Sequence, residues 1–150
     1  MSEFRFLHCE RRRVDQALPD LLARFCLDGR RTIVRAPSAE MVQALNDRLW
    51  TFDDASFLPH GAAGDGDPAS QPVFLTERVG NPNAAVALIL LSGAETSPED
   101  EAFETTFRLF DGRDEDALAE ARREWKRLKD AGRAVSYWRE GDDGGWEKAR

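Results

Sequence analysis

Apolar residues recur with two different periods along the chain. Phe4-Arg5-Phe6-Leu7-His8 alternates weakly and predicts a strand. Val14, Leu18, Leu21, Leu22 and Phe25 then follow at helical spacing. Pro19 complicates the start of that helix, because proline sits best in a first turn, where its missing N–H is not needed. Asp28-Gly29 ends it, with Gly29 as the left-handed cap. Thr32-Ile33-Val34-Arg35-Ala36 predicts a second strand, and Ser38 is a suitable N-cap for a helix over about 39–51. Within that helix, at about 100° per residue, Met41, Val42, Leu45, Leu49 and Phe52 form one core face, and Trp50 falls about 180° from Met41.

Asp53-Asp54-Ala55-Ser56 turns the chain towards Phe57-Leu58-Pro59-His60. Residues 61–72 then form a Gly/Pro/Asp-rich stretch, read as a mobile loop. Val73 to Thr76 and Ala85 to Leu91 predict strands, with Asn81-Pro82-Asn83 as the turn between them. The second is apolar throughout, as expected of a strand covered on both faces. Ser97-Pro98-Glu99-Asp100-Glu101 opens a short helical piece. Thr105 to Phe110 either continues it or forms a strand, with strand favoured for the second half. After Asp111-Gly112, Asp114-Glu115-Asp116 opens a helix running to Asp130, its acids at the positive end of the macrodipole. Ala131-Gly132 ends it, Ala134 to Trp138 is the last predicted strand, and 141–150 is a polar tail interrupted by Trp146. The order βαβα, strands, then αβ predicts a single α/β domain over 1–150. It is a three-layer sandwich with a mostly parallel central sheet flanked by helices, Rossmann-like but without a phosphate loop.

Composition narrows the function. A chain of 150 residues buries roughly 70% of its unfolded surface, enough for a core without staples. The net charge of −7 argues against a broad duplex-binding face, because phosphate recognition needs a basic surface. Cys9 and Cys26 are too few for a disulfide scaffold and read as buried small hydrophobes. The longest apolar run, Ala84 to Leu91, falls far short of the ~20 residues of a membrane span. With no basic-then-apolar leader pattern at the N-terminus, a cytoplasmic protein is expected.

Signatures of catalysis are weak. No Cys or His pair has metal-ligand spacing, so no metal or cofactor is expected. Gly64-Asp65-Gly66 lacks the third glycine of a dinucleotide fingerprint, and neither a P-loop nor a nucleophile elbow is present. The first βα turn, Cys9 to Arg13, has no glycine to bring backbone against a phosphate. Glu99-Asp100-Glu101 reads as a solvated helix start, and His8 as a structural strand-end residue. The enzyme alternative is a small α/β nucleotide-using hydrolase or transferase with a degenerate phosphate loop, 61–72 as its lid and His60 and Asp65 as acid/base groups.

Two features point to binding. Trp50 lies off the core face of its helix, and Phe57 follows soon after; either neighbouring chain covers them or they form a protein-binding patch. On the third helix Leu118, Ala121, Trp125 and Leu128 form a core stripe. Beside it run Arg122, Lys126, Lys129 and Arg133. Of Arg122, Lys126 and Lys129, only Lys126 has an acid at i±3 or i±4, namely Asp130. Glu120 and Glu124 lie on the other side, near Arg123 and Arg127. An unpaired basic stripe bordered by apolar groups suits an acidic peptide carrying a hydrophobic anchor; the alternative is a solvated face paired by residues distant in sequence.

Leu45-Asn46-Asp47-Arg48-Leu49-Trp50-Thr51-Phe52, followed by Ser56-Phe57-Leu58-Pro59-His60, resembles the LDxxLW…SFxPH signature of the chi subunit of bacterial DNA polymerase III. Leu18-Pro19-x-Leu21-Leu22 and Ala121-Arg122-x-x-Trp125-Lys126, with Ala131-Gly132 after it, are similar to the same family. The resemblance implies a non-catalytic accessory subunit of the replicative polymerase that links the clamp loader to single-stranded-DNA-binding protein. It implies that Leu118, Arg122, Trp125, Lys126 and Lys129 bind the acidic C-terminal tail of that protein. Trp50, Phe52, Phe57 and Pro59 would face the psi subunit, another clamp-loader subunit or a repair helicase. DNA would be met only indirectly. Trp125 stands where many relatives carry Tyr, and 61–72 and the tail look lineage-specific.

Overall fold

A computed structural model describes residues 3–26, 30–51, 60–62, 72–141 and 145–149 (at 23–26, 49–51 and 60–62, the backbone alone). The elements are β1 (Glu3–Cys9), α1 (Val14–Cys26), β2 (Thr32–Arg35), α2 (Ala39–Thr51), β3 (His60–Ala62), β4 (Val73–Thr76) and β5 (Ala87–Leu91). A 3-10 turn (Pro98–Ala102) follows, then β6 (Thr105–Asp111), α3 (Glu115–Asp130), β7 (Ala134–Glu140) and β8 (Trp146–Lys148). Among the described residues, eight strands form one sheet in the order β3-β4-β2-β5-β6-β1-β7-β8. Every pairing is parallel except that of β8 with β7.

Crossover handedness explains the layers. The chain moves one way along the sheet from β1 through α1 to β2, and the opposite way from β6 through α3 to β7. With right-handed crossovers these helices land on opposite faces. Ala17, Leu18, Leu21 and Leu22 of α1 and Val42 and Leu45 of α2 pack into one core with Val34, Ile89 and Leu109. Ala117 and Ala121 of α3 join Phe4, Phe6, Leu88, Leu90 and Phe110 in the other. The expected three-layer α/β sandwich is therefore present. β5 is buried along its whole length, as its unbroken apolar run requires. The crossovers leave the adjacent strands β1 and β6 for opposite faces of the sheet, and the crevice beyond such carboxyl ends is where open α/β sheets bind ligands.

Local signals set several boundaries. Ser38 Oγ accepts the Met41 N–H at 3.2 Å, and Asp114 Oδ1 accepts those of Asp116 and Ala117 at 3.0 and 3.2 Å, as N-caps do. Elsewhere the structure corrects the sequence reading. Pro19 lies inside α1, not in its first turn. The helix starts earlier because Gln16 Oε1 accepts the Arg13 N–H at 3.0 Å, half of a capping box. Met41 is exposed, and the core face of α2 turns instead to Val42, Leu45 and Asn46. Residues 60–62, the first two of the expected loop included, pair with β4 as an edge strand. Thr105 to Asp111 is strand throughout. Trp146 belongs to β8, which folds back on β7 with Glu140 opposite Trp146, so the tail is a hairpin arm. Cys9 is buried, and burial pushes its thiol up to about 12; Cys26, Phe25, Leu49 and the Asp28-Gly29 cap lie outside the described side chains.

Candidate functional site

The orientation of α3 decides what the surface offers. Its buried residues are Ala117, Ala121 and Glu124. Glu124 was expected near Arg127 on the side away from the cationic stripe, and Arg127 Nη2 does lie 3.5 Å from its Oε2, but the carboxylate is not left on the surface. It enters the core and holds Arg108 of β6 through two bonds, 2.8 Å to Nε and 2.9 Å to Nη2, while Arg108 Nη1 donates to the Leu91 carbonyl at 2.7 Å. A charged residue on the inner face is invisible to a periodicity that scores Glu as polar. The pairing rotates the helix, so Leu118, Trp125 and Leu128 are only half-buried at the border of the core. Trp125 meets Phe6 and Tyr137 edge-on, with centroids 5.5 and 5.9 Å apart.

The cationic stripe survives in reduced form. Arg133 leaves it: its Nη1 donates to Glu101 Oε1 at 2.9 Å, a partner distant in sequence. Lys129 places its ammonium 5.8 Å from the Trp125 ring centroid. Arg122 and Lys126 are exposed, and among the described residues neither forms an ion pair, Lys126 with Asp130 included. Arg122, Trp125, Lys126 and Lys129 are therefore brought together on one edge of α3, with Leu118 one turn before Arg122.

Beside this edge lies an open pocket of about 280 Å³, lined by His8, Arg122, Trp125, Tyr137, Arg139 and Ala149. Strand register builds it: His8 of β1 stands opposite Phe110 of β6 and Arg139 of β7. His8 Nδ1 and the Tyr137 hydroxyl are 2.6 Å apart. On its other side the ring presses on Gly112, where a Cβ would lie 1.6 Å from Nε2, so any side chain there must push the ring aside. Burial holds the imidazole below its ordinary pKa; Arg139 and Arg122 add to that, while Glu10 opposes it. Arg139 Nε donates to Glu10 Oε1 at 2.8 Å, and its Nη2 reaches the same oxygen. The sequence reading left Tyr137, Arg139 and Glu10 out of the site. Strand alternation carries the missed signal, since Val135, Tyr137 and Arg139 share a face of β7 and Phe4, Phe6 and His8 share that face of β1.

Next to the pocket, the turn after β1 does present converging backbone N–H groups, although it lacks glycine. Those of Glu10, Arg11 and Arg12 point at Glu140 Oε1, at 2.9, 2.9 and 3.3 Å, and Arg12 Nε donates to Oε2 at 2.5 Å. Such a nest of amides is an anion site, and here the chain's own carboxylate fills it. Burial pushes the Glu140 carboxyl up, but the N–H bonds and the Arg12 guanidinium outweigh it and hold it below the usual value.

The remaining sequence candidates divide. Asp100 is no solvated helix start: it pairs through both oxygens with the fully buried Arg35, at 2.9 and 3.1 Å, and accepts the Ser97 N–H at 2.9 Å. His60 lies in β3 with its side chain outside the described residues, as does the Trp50 side chain in α2; Phe52, Phe57, Pro59 and Asp65 lie wholly outside them. Among the described residues no three His, Cys, Asp or Glu side chains converge as a metal site. No helix of the described residues is long and apolar enough to cross a membrane.

A family model described as "DNA polymerase III chi subunit, HolC" matches residues 1–136. The chain is similar to a probable DNA polymerase III subunit chi of Rickettsia prowazekii (strain Madrid E), 28% identical over 92 residues. That alignment covers 61% of this chain and spans 56% of the relative's length.

Proposed function

The chain belongs to the DNA polymerase III chi subunit family, and from that premise we propose that it is a non-catalytic adaptor linking the clamp loader to single-stranded-DNA-binding protein. Family membership supports an accessory role in DNA replication. The finer reading is that Arg122, Lys126 and Lys129, with Leu118 and Trp125, bind the acidic C-terminal tail of single-stranded-DNA-binding protein. One observation carries it: an acidic protein keeps two exposed cations of α3 out of any ion pair among the described residues, beside a half-buried Trp and an open pocket. Cations suit the tail's carboxylates, and the aromatic-walled pocket suits its terminal Phe. A second surface, Trp50, Phe52, Phe57 and Pro59, would hold the psi subunit, another clamp-loader subunit or a repair helicase; it rests on the sequence resemblance.

The test is calorimetric titration with a short acidic peptide ending in Pro-Phe. Saturable binding is expected, weakened by salt and lost in Lys126→Glu and Arg122→Glu, while both variants keep the wild-type melting temperature. Unchanged binding by both variants refutes the site. Trp50→Ala should leave peptide binding intact.

A further inference from the structure

The pocket beside α3 contains two arginines in different states. Arg122 has no carboxylate partner among the described residues, whereas Arg139 is held by Glu10. Their pairing is lopsided: Nε and Nη2 of the guanidinium converge on one oxygen, Oε1, so the fork is not matched by two carboxylate oxygens. The side chains remain 56% and 31% exposed, which makes the pair a solvated, readily exchanged contact. Glu10 is also held from behind, since its backbone N–H is fixed to Glu140 at 2.9 Å. His8, 4.0 Å from Glu10 Oε1, has its imidazole pKa lowered by burial, so near pH 7 it adds little positive charge. While Glu10 occupies Arg139, the net cationic charge of the pocket wall comes from Arg122.

We propose that Glu10 is an internal competitor for the ligand of this pocket: its carboxylate holds Arg139 in the free protein, and an arriving peptide carboxylate displaces it. The inference rests on the acidic-tail reading above and names a regulator of that same site. Once Glu10 is displaced, Arg139 and Arg122 face the ligand together across a pocket floored by His8 and Tyr137. The fork of Arg139 then gains two oxygens where it had one. A peptide carboxylate that reaches Arg139 must share or take this guanidinium, so the Glu10–Arg139 pair lowers the affinity of such a peptide.

A double-mutant cycle tests this with the acidic Pro-Phe peptide as probe. Glu10→Gln should tighten binding about two- to five-fold, the range that an exposed ion pair supports. Arg139→Ala should weaken binding and abolish the gain from Glu10→Gln in the double variant. Glu120→Gln, which removes the same charge from the exposed side of α3, should leave affinity unchanged. If Arg139→Ala melts below the assay temperature, Arg139→Gln takes its place. An equal gain from Glu10→Gln with and without Arg139 overturns the proposal, because net charge alone would then explain it. Saturable wild-type binding, lost in Lys126→Glu but indifferent to Glu10→Gln, overturns the competitor and leaves the tail site standing. Binding that appears only in Glu10→Gln supports both, and no binding by wild type and Glu10→Gln alike overturns both.

Discussion

Replacing Glu140 with Ala should be one of the most damaging single changes at the carboxyl edge of the sheet. Its side chain is 1% exposed and accepts three backbone N–H groups and the Arg12 guanidinium. At about 1 kcal/mol for each, the four bonds together bound the loss near 4 kcal/mol. The turn is partly solvated, with Arg11 exposed, so water replaces some of the donors' partners. Arg12 also keeps Asp20 at 3.7 Å. A loss of about 2–3 kcal/mol in urea denaturation is therefore expected. Glu140→Gln, which keeps one acceptor oxygen, should lose about half as much. The sign with pH follows from the lowered carboxyl. A depressed folded-state pKa contributes stability that is fully present above the unfolded value of about 4.5 and lost as pH falls through the folded one. The gap between wild type and Glu140→Ala should thus be constant near neutrality and close below about pH 4.5. A loss under about 0.5 kcal/mol, or a gap that persists in strong acid, would refute the account of Glu140 as an internal anion.

Two further outcomes follow from packing. Gly112→Ala puts a methyl group 1.6 Å from His8 Nε2, so the ring must swing off the Tyr137 hydroxyl; thermal melts should show a loss of about 1–3 kcal/mol, together with weaker peptide binding, and a wild-type melt would show that the ring was never confined. Glu124→Ala strands the Arg108 charge in the core and should cost about 3–5 kcal/mol, whereas Arg108→Met with Glu124→Leu should recover most of it; equal losses in the single and double variants would mean that the charge pairing does not govern the orientation of α3.

Much of this fold is written locally. Ser38 and Asp114 announce helix starts that the structure keeps, and the unbroken apolar run before Ser92 announces a central strand. What escaped is what depends on partners far along the chain. Glu124 reads as a partner for Arg127 alone until Arg108 is known to lie beneath it, and that pairing turns the stripe. Arg133 reads as part of the basic face until Glu101 claims it. Arg122, Trp125 and Lys126 were legible because their grouping is a property of one helix. His8, Tyr137 and Arg139 were not, because only the pairing of β1 with β7 brings them together. Trp146 in a Gly-rich stretch gives little warning of a strand, since three residues carry too few positions to show alternation.

The order of strands also has a consequence for how the molecule comes into being. The sheet divides into β3-β4-β2-β5, all encoded by residue 91, and β6-β1-β7-β8, which awaits residues 105–148. During synthesis, therefore, the first strand emerges long before either of its neighbours. Its aromatic side chains Phe4 and Phe6 wait for β6, α3 and β7 before their core is complete. Contacts of such long sequence separation slow folding, because the loop must close before the contact rewards it. Every described side chain of the pocket, from His8 to Ala149, is supplied by that late half and α3. On the binding role proposed above, a chain clipped before β7 would lack Tyr137, Arg139 and Ala149, and with them the wall of the pocket opposite α3.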